Sequence, residues 1–269
     1  MSVGRTADKF LAILLRDLRT AARYRTGFAI TAVGTLIELA AFYYLSRAIG
    51  PGFRPEGVGY FPFLLVGTGL YTFMVMAMRS FVQCVQEAQQ SGTMEVLMTS
   101  STPAPVVVML SAASALLGNS LQLILYVGAG VALFGVPVPD ANWSGALVVF
   151  GLSLLIAIGL GMIAAALQVA IQKGSAVLWL FGSGAWFLTG TLFPIEALPK
   201  PLQLVSACIP LTHSLSAMRM ALLQGAGFGS LAPEIRALAL FGVALLPAGL
   251  AAFSVCLRRA RLQGTLAFY

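Results

Sequence analysis

The sequence predicts an all-α integral membrane protein. It has six transmembrane helices, an amphipathic interfacial helix at its head, a short cytoplasmic helix in one loop and a re-entrant element before the last span. Three observations carry this. Of 269 residues, 59% are apolar and 9% are charged, against roughly 25% charged in soluble domains, and the mean hydropathy is +0.91. The few charges bound long uncharged stretches. The Lys and Arg residues that give the net charge of +7 sit mostly at the two chain ends, where membrane topology accounts for them. A chain this apolar cannot cover its surface in water, which excludes a soluble enzyme, a disordered protein and a nucleic-acid reader.

The head, residues 1–26, places Phe10, Leu11, Leu14, Leu15, Leu18 and Ala22 on one helical side and Lys9, Arg16, Arg19 and Arg23 opposite. That pattern suits a helix lying in the membrane interface, as an anchor or as a contact surface for a cytoplasmic partner. Its polar part and apolar run are too long for a signal peptide and no A-x-A site follows, so it reads as an uncleaved anchor.

A helix needs about 20 apolar residues to cross the roughly 30 Å hydrocarbon layer. The stretches between charges, the first of which holds only Glu38, give spans at about 27–47, 58–81, 106–134, 144–171, 174–193 and 237–257, within a transmembrane domain at 27–257. The third starts after Pro105 because residues 96–105 are polar and proline-rich. Six spans put both ends on one side. The head, the tail at 258–269, Arg79 and Lys173 collect eleven of sixteen basic residues there, so both termini are expected in the cytoplasm of a bacterial plasma membrane.

In the loop after the second span, Thr93 can cap a short helix, with Glu95 favouring its positive end. Val96, Leu97 and Met98 then offer apolar surface on the cytoplasmic side, which wants lipid or a partner to cover it. Between spans five and six, residues 194–236 are too long for a turn, and Leu202–Leu223 is broken by Pro210 into arms too short to cross. A helix–break–helix dipping into the outer leaflet fits, provided protein covers the broken backbone. His213 and Arg219, six residues apart, have neither metal nor nucleophile spacing, and His213 reads as a local cap or bond.

Glu38 lies about halfway along the first span. A carboxylate there costs of order 3 kcal/mol on insertion scales. It can line a pore, pair with a polar group on a neighbour, or sit protonated at a helix contact, with the structural or interface roles favoured. One isolated acid cannot relay protons across a bilayer. No P-loop, H-E-x-x-H, C-x-x-C or G-x-S-x-G is present, so neither catalysis nor a bound metal is expected. Cys84, Cys208 and Cys256 read as small apolar fillers. Gly151, Gly159, Gly161, Gly182, Gly184 and Gly190 read as sites of close helix packing.

Two local patterns resemble a known family. Glu87 followed by Ser91-Gly92-Thr93-Met94-Glu95-Val96-Leu97 looks like a glutamate ahead of G-T-x-E-x-L. Leu192-Phe193-Pro194-Ile195-Glu196-Ala197-Leu198-Pro199, then Pro210-Leu211-Thr212-His213 and Arg219, looks like P-L-T-[YH]…R. With the basic head and six spans, the chain resembles the membrane subunit of ABC-2-type ABC exporters over nearly its whole length. The resemblance implies that residues 87–102 form a coupling helix docking on a separate ATPase subunit, through Glu87, Ser91, Gly92, Thr93, Glu95, Val96 and Leu97. The head would pack beside it on the same subunit. Pro194, Pro199, Pro210, His213 and Arg219 would mark the outer re-entrant element. Two permease chains, identical or paralogous, would work with two ATPase chains. ATP and Mg would be held by that partner and no cofactor by this chain. A lipophilic or amphipathic cargo (a drug, antibiotic or lipid-like molecule) suits the low-charge interior, although the family also exports polysaccharides. The competing reading is a stand-alone secondary transporter or channel, for which Glu38 alone is poor material.

Overall fold

The computed structural model describes residues 25–92, 104–137, 140–171, 178–179, 182 and 184–263. The chain is all-helical there. Its elements are α1 (Arg25–Ile49), α2 (Tyr60–Gln90), α3 (Ala104–Phe134), α4 (Trp143–Ile171), α5 (Ala185–Leu188), α6 (Lys200–Ala207), α7 (Pro210–Leu223) and α8 (Phe228–Gln263), with 3-10 turns at Pro55–Gly57 and Ile195–Ala197. Five helices among the described residues are long and apolar enough to cross a membrane: α1, α2, α3, α4 and α8.

Of the span expected at 174–193, residues 174–177, 180, 181 and 183 lie outside the described residues, and Leu178 and Trp179 are helical. Of its described part, Ala185–Leu188 form a single turn, closed by Gly190 at φ +74, a left-handed conformation that glycine adopts without strain. Two helices outrun their expected limits. α2 continues past residue 81 to Gln90 because Val82, Val85 and Ala88 keep an apolar face on the core. α8 begins at Phe228 rather than 237. Its early charges Glu234 and Arg236 do not end it, since Glu234 finds His213 as partner and Arg236 bonds the Ala232 carbonyl one turn back.

α2 is the central helix. In its most apolar window 78% of residues are buried, against 6% for α1. It packs on α1, α3, α4 and α7. α4 lies along α8, and the two backbones approach at paired glycines: a Cβ on Gly159 would fall 2.7 Å from the Leu245 carbonyl carbon, and one on Gly249 would strike the Gly159 carbonyl oxygen. Small residues permit this approach in a helix bundle. Pro247 sits at the same crossing and, having no N–H, leaves the Val243 carbonyl without its usual partner.

α1 holds on mainly through its second half. Leu39 is fully buried, and Tyr43 meets Phe61 edge-on at 5.5 Å and Phe134 at 4.9 Å. Phe42 joins that cluster, whereas Ile30, Val33, Ile37 and Tyr44 face outward.

At the α4 start, Asn142 links two elements. Its Oδ1 accepts the Gly145 N–H at 2.9 Å, capping α4. Its Nδ2 donates to the Ala226 carbonyl at 2.8 Å, just past α7. α6 and α7 are separated by two residues, Cys208 and Ile209. Pro210 opens α7 as its first residue, where a missing N–H costs nothing.

Candidate functional site

Three places gather the polar chemistry of this apolar bundle. The most enclosed surrounds Arg219, on the third turn of α7 and 1% exposed. A buried guanidinium needs its donors satisfied. Nε donates to the Phe63 carbonyl at 3.3 Å and Nη2 to the Thr191 carbonyl at 3.1 Å. Nη1 lies 3.6 Å from Glu56 Oε1. The guanidinium carbon sits 3.4 Å above the Phe63 ring, a cation–π contact.

Gly67, one turn along α2, makes room for this arrangement. A Cβ there would collide with Arg219 Nη2 and lie 2.9 Å from the Thr191 carbonyl oxygen. Glu56 holds φ +53, rare for a residue with a side chain, and its carbonyl accepts from Gln224 Nε2 at 2.9 Å. Burial pushes its carboxyl above the ordinary range. The Arg219 charge pulls the other way, and Glu196 and Glu234 add to the rise. Arg219 thus ties together the turn before α2, α2 itself, the turn after α5, and α7.

His213, six residues earlier, bridges two further elements. Nδ1 meets Glu234 Oε2 on α8 at 2.6 Å, and Nε2 meets the Ala207 carbonyl at 3.0 Å. Ala207 ends α6, where carbonyls lack helical partners. The bond to Ala207 is local; the ion pair with Glu234 spans 21 residues. The hydrogen bond to Glu234 raises the imidazole pKa, against an opposing effect of burial.

The prolines serve as punctuation. Pro194 accepts the Ala197 N–H and opens a 3-10 turn, and Pro199 accepts from Leu202 and Gln203 at the start of α6. Glu56, Phe63, Gly67, Thr191 and Glu234 were not singled out in the sequence. The signal available was that Glu56, Glu196 and Glu234 are three of the four acids assigned, with Asp140, to the same membrane side as His213 and Arg219.

The second place is the end of α2. Glu87 is in its last turn, and its carbonyl accepts both the Ser91 N–H at 2.9 Å and Ser91 Oγ at 2.7 Å. Gly92 takes φ +68 and stops the helix. Thr93, Glu95, Val96 and Leu97 lie outside the described residues, as does the head at 1–24. A glutamine ladder braces this end: Gln86 Nε2 donates to Gln168 Oε1 at 3.4 Å, and Gln168 Nε2 to Gln89 Oε1 at 3.2 Å. It fixes the last turns of α2 to α4.

The third place is a partly open cavity of about 50 Å³ between α1, α2 and α3, with Glu38 and Tyr126 among its lining residues. Among the described residues no group of three or more His, Cys, Asp or Glu could hold a metal ion. These arrangements suit binding and mechanical linkage.

A family model described as "ABC-2 family transporter protein" matches residues 36–251, well over half of the chain. No curated protein matches it.

Proposed function

The chain belongs to the ABC-2 transporter family and is a multi-pass membrane permease, and from that premise we propose that it is the membrane subunit of an ATP-driven exporter working with a separate ATPase. The family match over residues 36–251 carries this reading, since that stretch contains both the Glu87–Leu97 loop and the Pro210–Arg219 segment. The basic head and tail support a cytoplasmic position for both termini by the positive-inside rule, in what this reading takes to be a bacterial plasma membrane. The end of α2 then faces the cytoplasm.

In this scheme the loop beyond Gly92 docks on the ATPase, with Val96 and Leu97 covered by it. ATP and Mg are bound by that partner. Movement of the loop passes into the membrane through α2, and the Gln86–Gln168–Gln89 ladder carries it to α4. At the far end, the Arg219 and His213 contacts make α6, α7 and the start of α8 one outer unit. A second permease chain completes the path, and the exposed apolar face of α1 is available to lipid or to that chain. The cargo is lipophilic or amphipathic.

The test is co-purification. An affinity tag after Tyr269 and mild detergent should bring down a near-stoichiometric protein carrying a P-loop. Gly92→Pro or Glu95→Arg should reduce that recovery and ATP-dependent export while leaving membrane insertion intact. A chain recovered alone in several mild detergents, with substrate flux persisting after ATP depletion, would overturn the proposal.

A further inference from the structure

Glu38 sits about 20 Å along α1 from Arg25, at 1.5 Å per residue, and so close to mid-helix. It makes no hydrogen bond or ion pair with any described residue. An ionisable group at that depth, facing a cavity rather than a protein partner, marks a place where a charge of opposite sign belongs. Among the described residues none pairs with it: α3 carries no Lys or Arg, the nearest basic residue further along α1 is Arg47, and Arg79 of α2, one turn beyond the lining residue Met76, makes no ion pair with Glu38.

The polar remainder of the cavity is neutral and can accept from a cation. Thr35, Thr72, Asn119, Gln122 and Tyr126 line it with Glu38. Thr68 Oγ1 donates to the Leu64 carbonyl at 2.6 Å, so the 2.9 Å contact between Thr68 and Tyr126 uses the tyrosine proton. Tyr126 then offers the cavity only an acceptor oxygen. Asn119 gives one amide hydrogen to Ser80 Oγ at 3.3 Å, which leaves its Oδ1 as acceptor and its second N–H as donor. The hydroxyls and amides can serve either sign, so the carboxylate decides: an anion would meet Glu38 as a like charge, whereas a small ammonium would find a carboxylate and neutral oxygens.

The cavity does not stand alone. A groove of about 250 Å³ between α1 and α3 shares Thr35, Gln122 and Tyr126 with it and continues along Ala32, Leu36, Leu125 and Ala129. Polar at one end and apolar along its length, the pair matches a molecule built the same way.

We propose that the Glu38 cavity and its groove bind a cationic amphiphile, an alkylammonium whose head pairs with Glu38 and whose apolar body lies between α1 and α3. The proposal deepens the exporter reading by naming the cargo class, and rests on that reading only for calling the ligand cargo. α1 is held mainly by the Leu39–Tyr43 cluster, so its Ile30–Glu38 half can part from α3 to admit a chain from the lipid.

The test needs no ATPase. Full-length protein in phosphatidylcholine nanodiscs is equilibrated with radiolabelled dodecylammonium, and binding is read above empty nanodiscs, with dodecanol and dodecanoate as comparators. Saturable binding of the amine alone is expected, weakened at least tenfold by Glu38→Gln. Leu125→Trp, which fills the groove and keeps the carboxylate, should weaken it as well, and serves if Glu38→Gln fails to fold. Equal saturable binding of dodecanol, no saturable amine binding by the wild type, or Glu38→Gln binding as tightly as wild type would each overturn the site. A Glu38→Gln variant that alters only the oligomeric state, with amine binding unchanged, would make Glu38 a subunit contact instead. Amine binding by a chain that brings down no P-loop protein in the co-purification would refute the exporter reading and leave the site standing; a co-purifying P-loop protein with no saturable amine binding would do the opposite.

Discussion

Arg219 covers the ring of Phe63 at 3.4 Å and at the same time donates from Nε to the carbonyl oxygen of that residue. One α2 residue thus receives the α7 guanidinium at both its side chain and its backbone. The geometry needs a flat, forked cation, because Nε and Nη2 reach two carbonyls while the plane lies on a ring. Lysine has a single point charge and cannot stack. Arg219→Lys should therefore behave as a loss, lowering stability by about 2–4 kcal/mol as charged hydrogen bonds are broken in a buried place. Thermal unfolding of the detergent-solubilised protein measures it. A melting temperature unchanged from wild type would show that the cage tolerates any cation.

Gly67 and Arg219 share one volume. Gly67→Ala places a methyl where Nη2 now lies and close to the Thr191 carbonyl. Overpacking of this kind costs about 1–3 kcal/mol. With Arg219 shortened to alanine much of the obstacle is gone, so the added cost of Gly67→Ala should fall by more than half in that background. Residues in contact couple in this way. Strict additivity in the double variant would mean that the Thr191 carbonyl, not the guanidinium, sets the limit.

The His213–Glu234 pair predicts a pH dependence. Glu234 raises the imidazole pKa in the folded protein. A raised folded value means that its stabilisation is complete below the unfolded pKa of about 6.5 and is lost as pH climbs through the folded value. The melting temperature of the wild type should exceed that of His213→Gln most at about pH 5.5 and least at about pH 8.5. Glu234→Gln should remove the trend. A gap that is constant, or widens with pH, would mean that the Ala207 bond holds the ring without need of its charge.

Much of this architecture was legible in advance, for a physical reason. Uncharged stretches of helical length have few alternatives in a bilayer, and α1, α3 and α4 begin and end within about two residues of the stretches that announced them. The start of α8 was not legible, because Glu234 and Arg236 read as loop charges until their partners are seen. The cage around Arg219 was hidden more deeply. Its acceptors are the backbone carbonyls of Phe63 and Thr191, and any residue type brings a carbonyl. Gly67 left a trace in the sequence, but one shared with the other 27 glycines. At Glu38 the cost of the carboxylate was plain from the chain alone, whereas the polar cavity it faces needed three helices in place.

Glycine abundance itself divides into two kinds, and α4 holds one of each. Gly159 presses on Leu245 and Leu246 of α8, whereas a Cβ on Gly151 would meet nothing within 4 Å. The two positions are on the same helix, so propensity treats them alike: exchanging a mid-helix glycine for alanine stabilises by about 0.5–1 kcal/mol. Packing separates them. Gly151→Ala should be neutral or stabilising. Gly159→Ala must push α8 away at the point where Gly249 lies against the Gly159 carbonyl, and should cost about 1–3 kcal/mol net. Because Pro247 already weakens α8 beside this crossing, some of the strain can be absorbed by bending, which puts the expected cost in the lower half of that range. Parallel melts of the two single variants decide the matter. Equal effects would mean that the α4–α8 approach is looser than its backbone contacts indicate.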